Sequence, residues 1–147
     1  MSLGWSAMGN PKRTRLAAYA VIVTDGSLLL VRIASRSDGA GRWTLPGGGL
    51  DWGEHPDDGL LRELKEETGL TPSSFQLAGI NSHVFDESDT RAGLHAIRFL
   101  YHCEAAGEPH ITEVDGSVDL VRWVPMEQVS TLDTVHLVSV GLDTTGH

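Results

Sequence analysis

The sequence predicts an α/β domain: a mixed sheet covered by helices on both faces. Three observations predict it. The segments read in the order strands, helix, strands, helix. The first two strand segments, residues 16–24 and 28–33, are apolar at consecutive positions, as in a sheet covered on both sides. A helical segment in the middle of the chain carries start and stop signals at its two ends.

Each element has a local reason. Residues 16–24 are small and β-branched and read as a strand; Asp25-Gly26 is a two-residue hairpin signal, and 28–33 is the returning strand. Residues 34–41 form a polar loop and 43–45 a short strand. Pro46-Gly47-Gly48-Gly49 is read as irregular, with access to unusual backbone angles. Pro56 suits a first helical turn, Asp57 and Asp58 complement the helix dipole, and Gly69 stops the helix at about Thr68. Residues 75–85 and 94–103 read as paired strands around a charged loop at 86–93, with His95, Ile97, Phe99, Tyr101 and Cys103 on one face. Residues 104–116 are loop-like, 118–124 form a strand closed by Pro125, and 126–142 read as one C-terminal helix.

The chain has 147 residues, 40% of them hydrophobic and 21% charged, which makes one globular domain. Residues 1–14 are read as a flexible lead-in and 15–147 as the domain. The net charge is −9, with no basic block, which argues against binding duplex nucleic acid or the backbone of an RNA chain. The longest apolar run covers eight residues, too few to span a bilayer, so no membrane partner is expected. Cys103 is the only cysteine; no intrachain disulfide can form, and a reducing, cytoplasmic compartment fits.

The chemistry concentrates in residues 48–70. At about 100° per residue, Glu63, Glu66 and Glu67 fall within about 100° of one helix face. Leu60, Leu61 and Leu64 form an apolar stripe beside them. From Asp51 to Glu67 there are seven acids and two bases. Such crowding costs helix stability unless a cation relieves it, and an all-oxygen donor set indicates Mg²⁺, with Mn²⁺ as substitute, in preference to zinc. Gly59 lies on the acidic face one turn before Glu63. It either leaves room for the glycine loop, a metal ion or a diphosphate, or packs closely on a neighbouring element.

Gly48, five residues, Glu54, seven residues, then Arg62-Glu63-Leu64-Lys65-Glu66-Glu67-Thr68-Gly69-Leu70 resembles the Nudix box at all nine of its fixed positions. The Leu45-Pro46-Gly47-Gly48 lead-in and Arg122-Trp123-Val124-Pro125 extend a weaker likeness over residues 16–142. The resemblance implies an α/β/α sandwich in which a loop–helix–loop cradles metal and diphosphate. It implies hydrolysis of a nucleoside diphosphate linked to another moiety, X, by water attack on phosphorus. By position, Glu63, Glu66, Glu67 and the Gly48 carbonyl are the implied metal ligands. Arg62 orients a glutamate, Glu54 supports the loop–helix geometry, and Glu63 is the first candidate for the base. Glu113 and Asp115 are loop alternatives for that base. Some members of the family carry a proline or tyrosine fifteen or sixteen residues past the box; here Phe85 and Asp86 stand there, against adenosine diphosphoribose and dinucleoside polyphosphates.

Other residues carry two readings. Taken alone, Arg-Glu-Leu-Lys-Glu-Glu is an ordinary solvated helix face; the glycine loop, Glu54 and Gly69 make it a site. Arg32, Arg42 and Arg98 are candidates for substrate phosphate or plain surface arginines. Trp43 is a stacking platform or a core residue. The histidines show no zinc spacing. The substrate expected is a small nucleotide or nucleotide-linked diphosphate, and the resemblance allows a homodimer. A nucleotide sensor without turnover is the rival function, which need not keep all three glutamates.

Overall fold

The computed structural model describes residues 11–35, 37, 39–88 and 92–147. Among these residues the elements are β1 (Arg13–Val21), β2 (Val23–Thr24), β3 (Ser27–Ile33), β4 (Trp43–Thr44), β5 (Gly47–Gly49), α1 (Pro56–Thr68), β6 (Ser74–Phe85), β7 (Leu94–Glu104), β8 (Val118–Pro125), α2 (Met126–Val129) and α3 (His136–Thr145). The strands make two sheets. The first runs β5-β1-β7-β6 and is mixed, because β1 and β7 are parallel while the other pairs are antiparallel. In the second, β3 pairs antiparallel with β2, β4 and β8. The turn between β2 and β3 has positive φ at both Asp25 and Gly26, as a two-residue hairpin of matching twist requires.

Alternation along the strands builds a core on each side. Val21, Leu28, Leu30 and Leu100 point to one face and meet Val129 of α2 and Leu137 and Val138 of α3. Ala18, Ala20, Ile22, Leu29, Tyr101 and Cys103 point to the other and meet Leu60 and Leu64 of α1. The domain is therefore an α/β/α sandwich, and the doubly apolar strands read from the sequence are the covered ones. Burying Leu60 and Leu64 contributes about 1.5–3 kcal/mol each, which outweighs the acidic crowding on the helix's other side. The Tyr101 hydroxyl donates to Asp57 at 2.5 Å and ties the first turn of α1 to the sheet. Among the described residues no helix is long and apolar enough to cross a membrane.

Three expectations need correction. The glycine run is not irregular: Gly47–Gly49 is strand β5, paired with Tyr19, Ala18 and Ala17 of β1. At Gly47, with φ 145, a Cβ would lie 2.1 Å from the Ala18 carbonyl oxygen, so only glycine lets the two backbones approach this closely. The C-terminal helix is not continuous: α2 ends at Val129, and Thr134 forms a bridge with Trp43 before α3 begins. The Trp43 amide donates to the Asp133 carbonyl and the Val135 amide to the Trp43 carbonyl, both at 2.9 Å, so strand pairing competes successfully with the helix there. Strand β1 begins at Arg13, inside the segment read as a lead-in, because Arg13 and Thr14 pair with Leu94 and His95 although their side chains are exposed. Residues 1–10 of that lead-in lie outside the described residues.

Candidate active site

Helix α1 starts where expected. His55 caps it by accepting the Asp57 amide at 3.0 Å, and Gly69 ends it in the left-handed region with its amide on the Lys65 carbonyl. On its polar side Arg62 is the centre of the charges. Its Nε and Nη2 donate to the two oxygens of Glu54, each at 2.9 Å, a bidentate pair. Nη2 also donates to the Gly49 carbonyl at 3.0 Å, and Nη1 to Glu63 at 2.9 Å and Glu66 at 3.4 Å. Asp51 lies 3.4 Å from Nε. Glu54 accepts the Asp51 amide as well, and Arg62 with that amide pulls its carboxyl down to about 2. Glu54 therefore stays ionised and holds the loop 50–55 on the helix. At Gly59 a Cβ would lie 2.4 Å from Leu50 and 3.0 Å from Glu54, so its missing side chain makes room for this loop.

Glu67 is held differently. It is 3% exposed and accepts the Gly47 amide at 2.9 Å, with the Ser117 hydroxyl 3.5 Å from its other oxygen. Burial, with the charges of Glu63, Glu113 and Glu66 adding to it, pushes its carboxyl up to about 8. Glu63 points at Gly48, where a Cβ would lie 2.8 Å from the carboxyl carbon. Burial raises the Glu63 pKa and Arg62 opposes that rise. The first two glycines of β5 thus serve separate carboxylates: Gly47 gives a hydrogen bond and Gly48 gives space.

The loop after β7 closes the end of α1. The His110 amide donates to the Thr68 carbonyl, and the Thr112 and Glu113 amides donate to the Glu66 carbonyl. The Thr112 hydroxyl donates to Lys65 O at 2.9 Å. The amide bonds satisfy the Glu66 and Thr68 carbonyls, which have no partner within α1, and the Thr112 hydroxyl adds a second donor to the Lys65 carbonyl. They also set Glu113 beside Glu66, whose hydrogen bond with it raises the Glu113 pKa. A cleft of about 350 Å³ opens here, lined by Glu113, Asp115 and Asp119 among others. Glu63, Glu66, Glu67 and Glu113 are brought together by one helix turn and one capping loop.

A NUDIX domain model matches residues 13–139. The chain belongs to the Nudix family. It is 32% identical over 130 residues to a MutT-like protein of Streptomyces ambofaciens, covering 88% of this chain and 75% of that one. It is 40% identical over 129 residues to a nucleoside triphosphatase NudI of Escherichia coli O139:H28, covering 82% of this chain and 89% of that one. A crystal structure of a MutT Nudix hydrolase from Burkholderia pseudomallei has a TM-score of 0.71 at 28% identity, with 89% of this chain and 97% of that chain covered. By family this Nudix chain is a pyrophosphohydrolase, and Nudix hydrolases generally use divalent metal ions.

The donor types present suit such an ion, although among the described residues their arrangement does not yet gather them around one point. The donors are carboxylate and carbonyl oxygens, which suit a hard cation. Glu67 is a buried carboxylate with no ion pair among the described residues, and a cation would relieve its desolvation. Among the described residues no three acidic or histidine side chains are grouped closely enough to hold one ion, because Arg62 draws Glu63 and Glu66 to its own N–H groups.

The substrate candidates of this Nudix domain fall in four places. Arg32 pairs with Asp119 at 2.8 and 3.2 Å, at the rim of the cleft beside Glu113. Arg42 is engaged by Asp133 and the Thr134 carbonyl. Trp43 is 6% exposed and packs in the α3-side core, with Arg122 4.9 Å above its ring. Arg98 lies on the first sheet beside Asn81. Asp115 has φ 55 and lines the same cleft as Glu113. Sequence reasoning missed the Gly47 amide and Ser117 as holders of Glu67, and Asp51 at Arg62. Spacing from the helix carries no signal for them, since each is set by the packing of β5, β8 or the loop.

Proposed function

We propose that the protein hydrolyses the diphosphate linkage of a nucleoside diphosphate joined to X, by attack of water on phosphorus. The observation that supports this most is the buried Glu67 carboxyl, with no ion pair among the described residues, beneath the glycine strand and next to Glu63 and Glu66 on the same turns. Glu63, Glu66, Glu67 and the Gly48 carbonyl would hold Mg²⁺, for which Mn²⁺ can substitute. When bound, the metal supplies charge neutralisation at the phosphate oxygens and a lowered pKa for water.

The chain's own residues do the rest. Glu63 takes the proton of the attacking water: it stands at Gly48, and its raised pKa makes it a stronger base than a solvated carboxylate. Glu113 holds Glu66 from the loop side and is the second candidate for that base. Arg62 keeps Glu54, Glu63 and Glu66 in register and is a positioning residue. Glu54 locks the loop so that Gly48 and Gly49 stay over the helix.

The relatives carry different names, from nucleoside triphosphatase to 8-oxo-dGTP diphosphatase and ADP-ribose pyrophosphatase, so the test is a panel. Nucleoside triphosphates, nucleotide sugars and ADP-ribose are incubated with protein and Mg²⁺, then with EDTA, and products are weighed by mass spectrometry in ¹⁸O-water. Metal-dependent release with the label on one phosphate is expected. Tight binding with no turnover across the panel refutes the hydrolase and leaves a sensor.

A further inference from the structure

Helix α1 covers only part of the sheet face on which it lies. Leu60 and Leu64 pack with Ala18, Ala20 and Ile22 of β1 and with Tyr101 and Cys103 of β7. The register sets Phe75, Leu77, Ile80 and Val84 of β6 opposite Cys103, Tyr101, Phe99 and His95 of β7. All four side chains therefore stand on this face, along the outer strand of the sheet. Leu16 of β1 pairs with Ile97 and joins them. Ile80 is 60% exposed and Val84 59%, and Leu16, Phe75 and Leu77 are exposed as well. These are five of the eight large hydrophobic side chains exposed among the described residues, so they form a patch and not a scatter.

Charge and area decide what covers the patch. The chain has a net charge of −9, so two copies repel one another over most of their surface. Residues 74–85 contain no Asp, Glu, Lys or Arg, and neither do the β7 residues of this face, His95, Ile97, Phe99, Tyr101 and Cys103. Here two copies can meet apolar against apolar with no carboxylates opposed. The same lack of Lys and Arg leaves an anionic membrane or a nucleic acid nothing to hold. The polar groups of the face are already bonded: Ser82 with His95 at 2.8 Å, and the Tyr101 hydroxyl to Asp57. Each can leave water with its partner in place. Strand β6 has 12 residues, and with β7 and Leu16 it gives a footprint about 40 Å long and about 12–15 Å wide, roughly 500 Å² on each copy and roughly 1,000 Å² in a pair, the lower bound for a specific interface.

We infer that the uncovered β6–β7 half of this face packs on the same half of a second copy across a two-fold axis. The two sheets stack at the usual spacing of about 10 Å, and each apolar side chain meets the partner's apolar face. The pairing is independent of the hydrolase reading. A footprint of this size gives a dimer of roughly micromolar affinity.

The test is sedimentation velocity on the full chain from about 1 to about 100 µM, the range that brackets such an affinity. It compares wild type, Ile80→Glu, Val84→Glu and Gln76→Glu, with thermal midpoints as the folding control. Gln76 is exposed on the same strand, between Phe75 and Leu77 and so on the opposite face, where it pairs with His102. Its variant adds the same charge without touching the patch. Wild type should sediment at twice the chain mass. Ile80→Glu and Val84→Glu should each weaken the dimer by at least about a hundredfold, because the two-fold repeats every substitution. Gln76→Glu should match wild type. A wild type that stays monomeric at the highest concentration overturns the assignment, and one that instead floats with phosphatidylcholine vesicles gives the face to lipid. A dimer that both patch variants leave intact overturns it by placing the contact elsewhere. A dimer weakened equally by Gln76→Glu overturns it in favour of pairing along the β6 edge. If one patch variant loses its thermal transition the other decides, and if both do, Leu77→Gln on the same face decides.

Discussion

Replacing Glu67 by Gln should stabilise the metal-free protein at alkaline pH while removing most of its activity. Gln keeps the shape and can still accept the Gly47 amide, and its new N–H₂ faces the Ser117 hydroxyl. What it removes is a buried charge. The Glu67 carboxyl is raised from 4.5 to about 8 on folding. Between these pH values the folded protein keeps a proton that the unfolded chain releases. Stability is therefore intact below pH 4.5 and is lost as pH rises to about 8. At about 1.36 kcal/mol per pKa unit the full loss is at most about 5 kcal/mol. Neighbouring carboxylates share the titration, so a few kcal/mol is the expected scale.

The assay is urea unfolding of wild type and Glu67→Gln in EDTA from pH 5 to 9. Wild type should weaken across this range and the variant should weaken less, by about 2–5 kcal/mol. Adding Mg²⁺ at pH 8 should restore wild type and leave the variant unmoved. Parallel pH curves for the two proteins would refute the buried-charge argument. Near-normal kcat in a folded Glu67→Gln protein would count against its place in the metal site.

Other perturbations follow from the same geometry. Arg62→Ala leaves Glu63 and Glu66 facing one another without a cation and should cost about 1–3 kcal/mol in urea unfolding together with most of kcat. Arg62→Lys should recover little of either, since one ammonium cannot serve Glu54 through two parallel bonds and also reach Glu63. Gly48→Ala places a methyl 2.8 Å from the Glu63 carboxyl carbon; the flexible side chain can yield, so the thermal midpoint should hardly change while kcat falls at least tenfold. Activity with Mg²⁺ should rise with pH to an alkaline optimum, because the water must lose a proton; a pH–rate profile peaking below neutrality contradicts the proposed chemistry.

Helix α1 was legible because its signals are local. Pro56, Asp57, Asp58 and Gly69 act within one turn of their own positions, and the spacing of Glu63, Glu66 and Glu67 needs only helical geometry. What was not legible depends on partners distant in sequence. Gly47-Gly48-Gly49 is poor strand sequence, yet β1 supplies its hydrogen bonds and needs the close approach. Arg13 and Thr14 look like a tail because their side chains are wet, although their backbone pairs with β7. The helical pattern of 126–142 is genuine in α2 and α3 but yields at Asp133 and Thr134, where Trp43 competes for the backbone. Glu113 could be nominated as a loop acid, but its place beside Glu66 follows from the capping of α1, which links residues 66 and 113.

The misread glycine run and the buried glutamate are one problem seen twice. A carboxylate as buried as Glu67 requires a hydrogen-bond donor that brings no bulk of its own, and a backbone amide on an edge strand of glycine provides it. Once β5 lies this close, Gly48 can abut Glu63 and Gly49 can offer its carbonyl to Arg62. Two classes of carboxylate result. Glu54, Glu63 and Glu66 share the single positive charge of Arg62, and Glu67 has no cationic partner among the described residues. Helix stability alone would favour giving Glu67 a cationic partner as well or replacing it by an apolar residue. A carboxyl buried there beside three other carboxylates, where it weakens the fold as its proton leaves, accords with the proposal that this helix receives a cation.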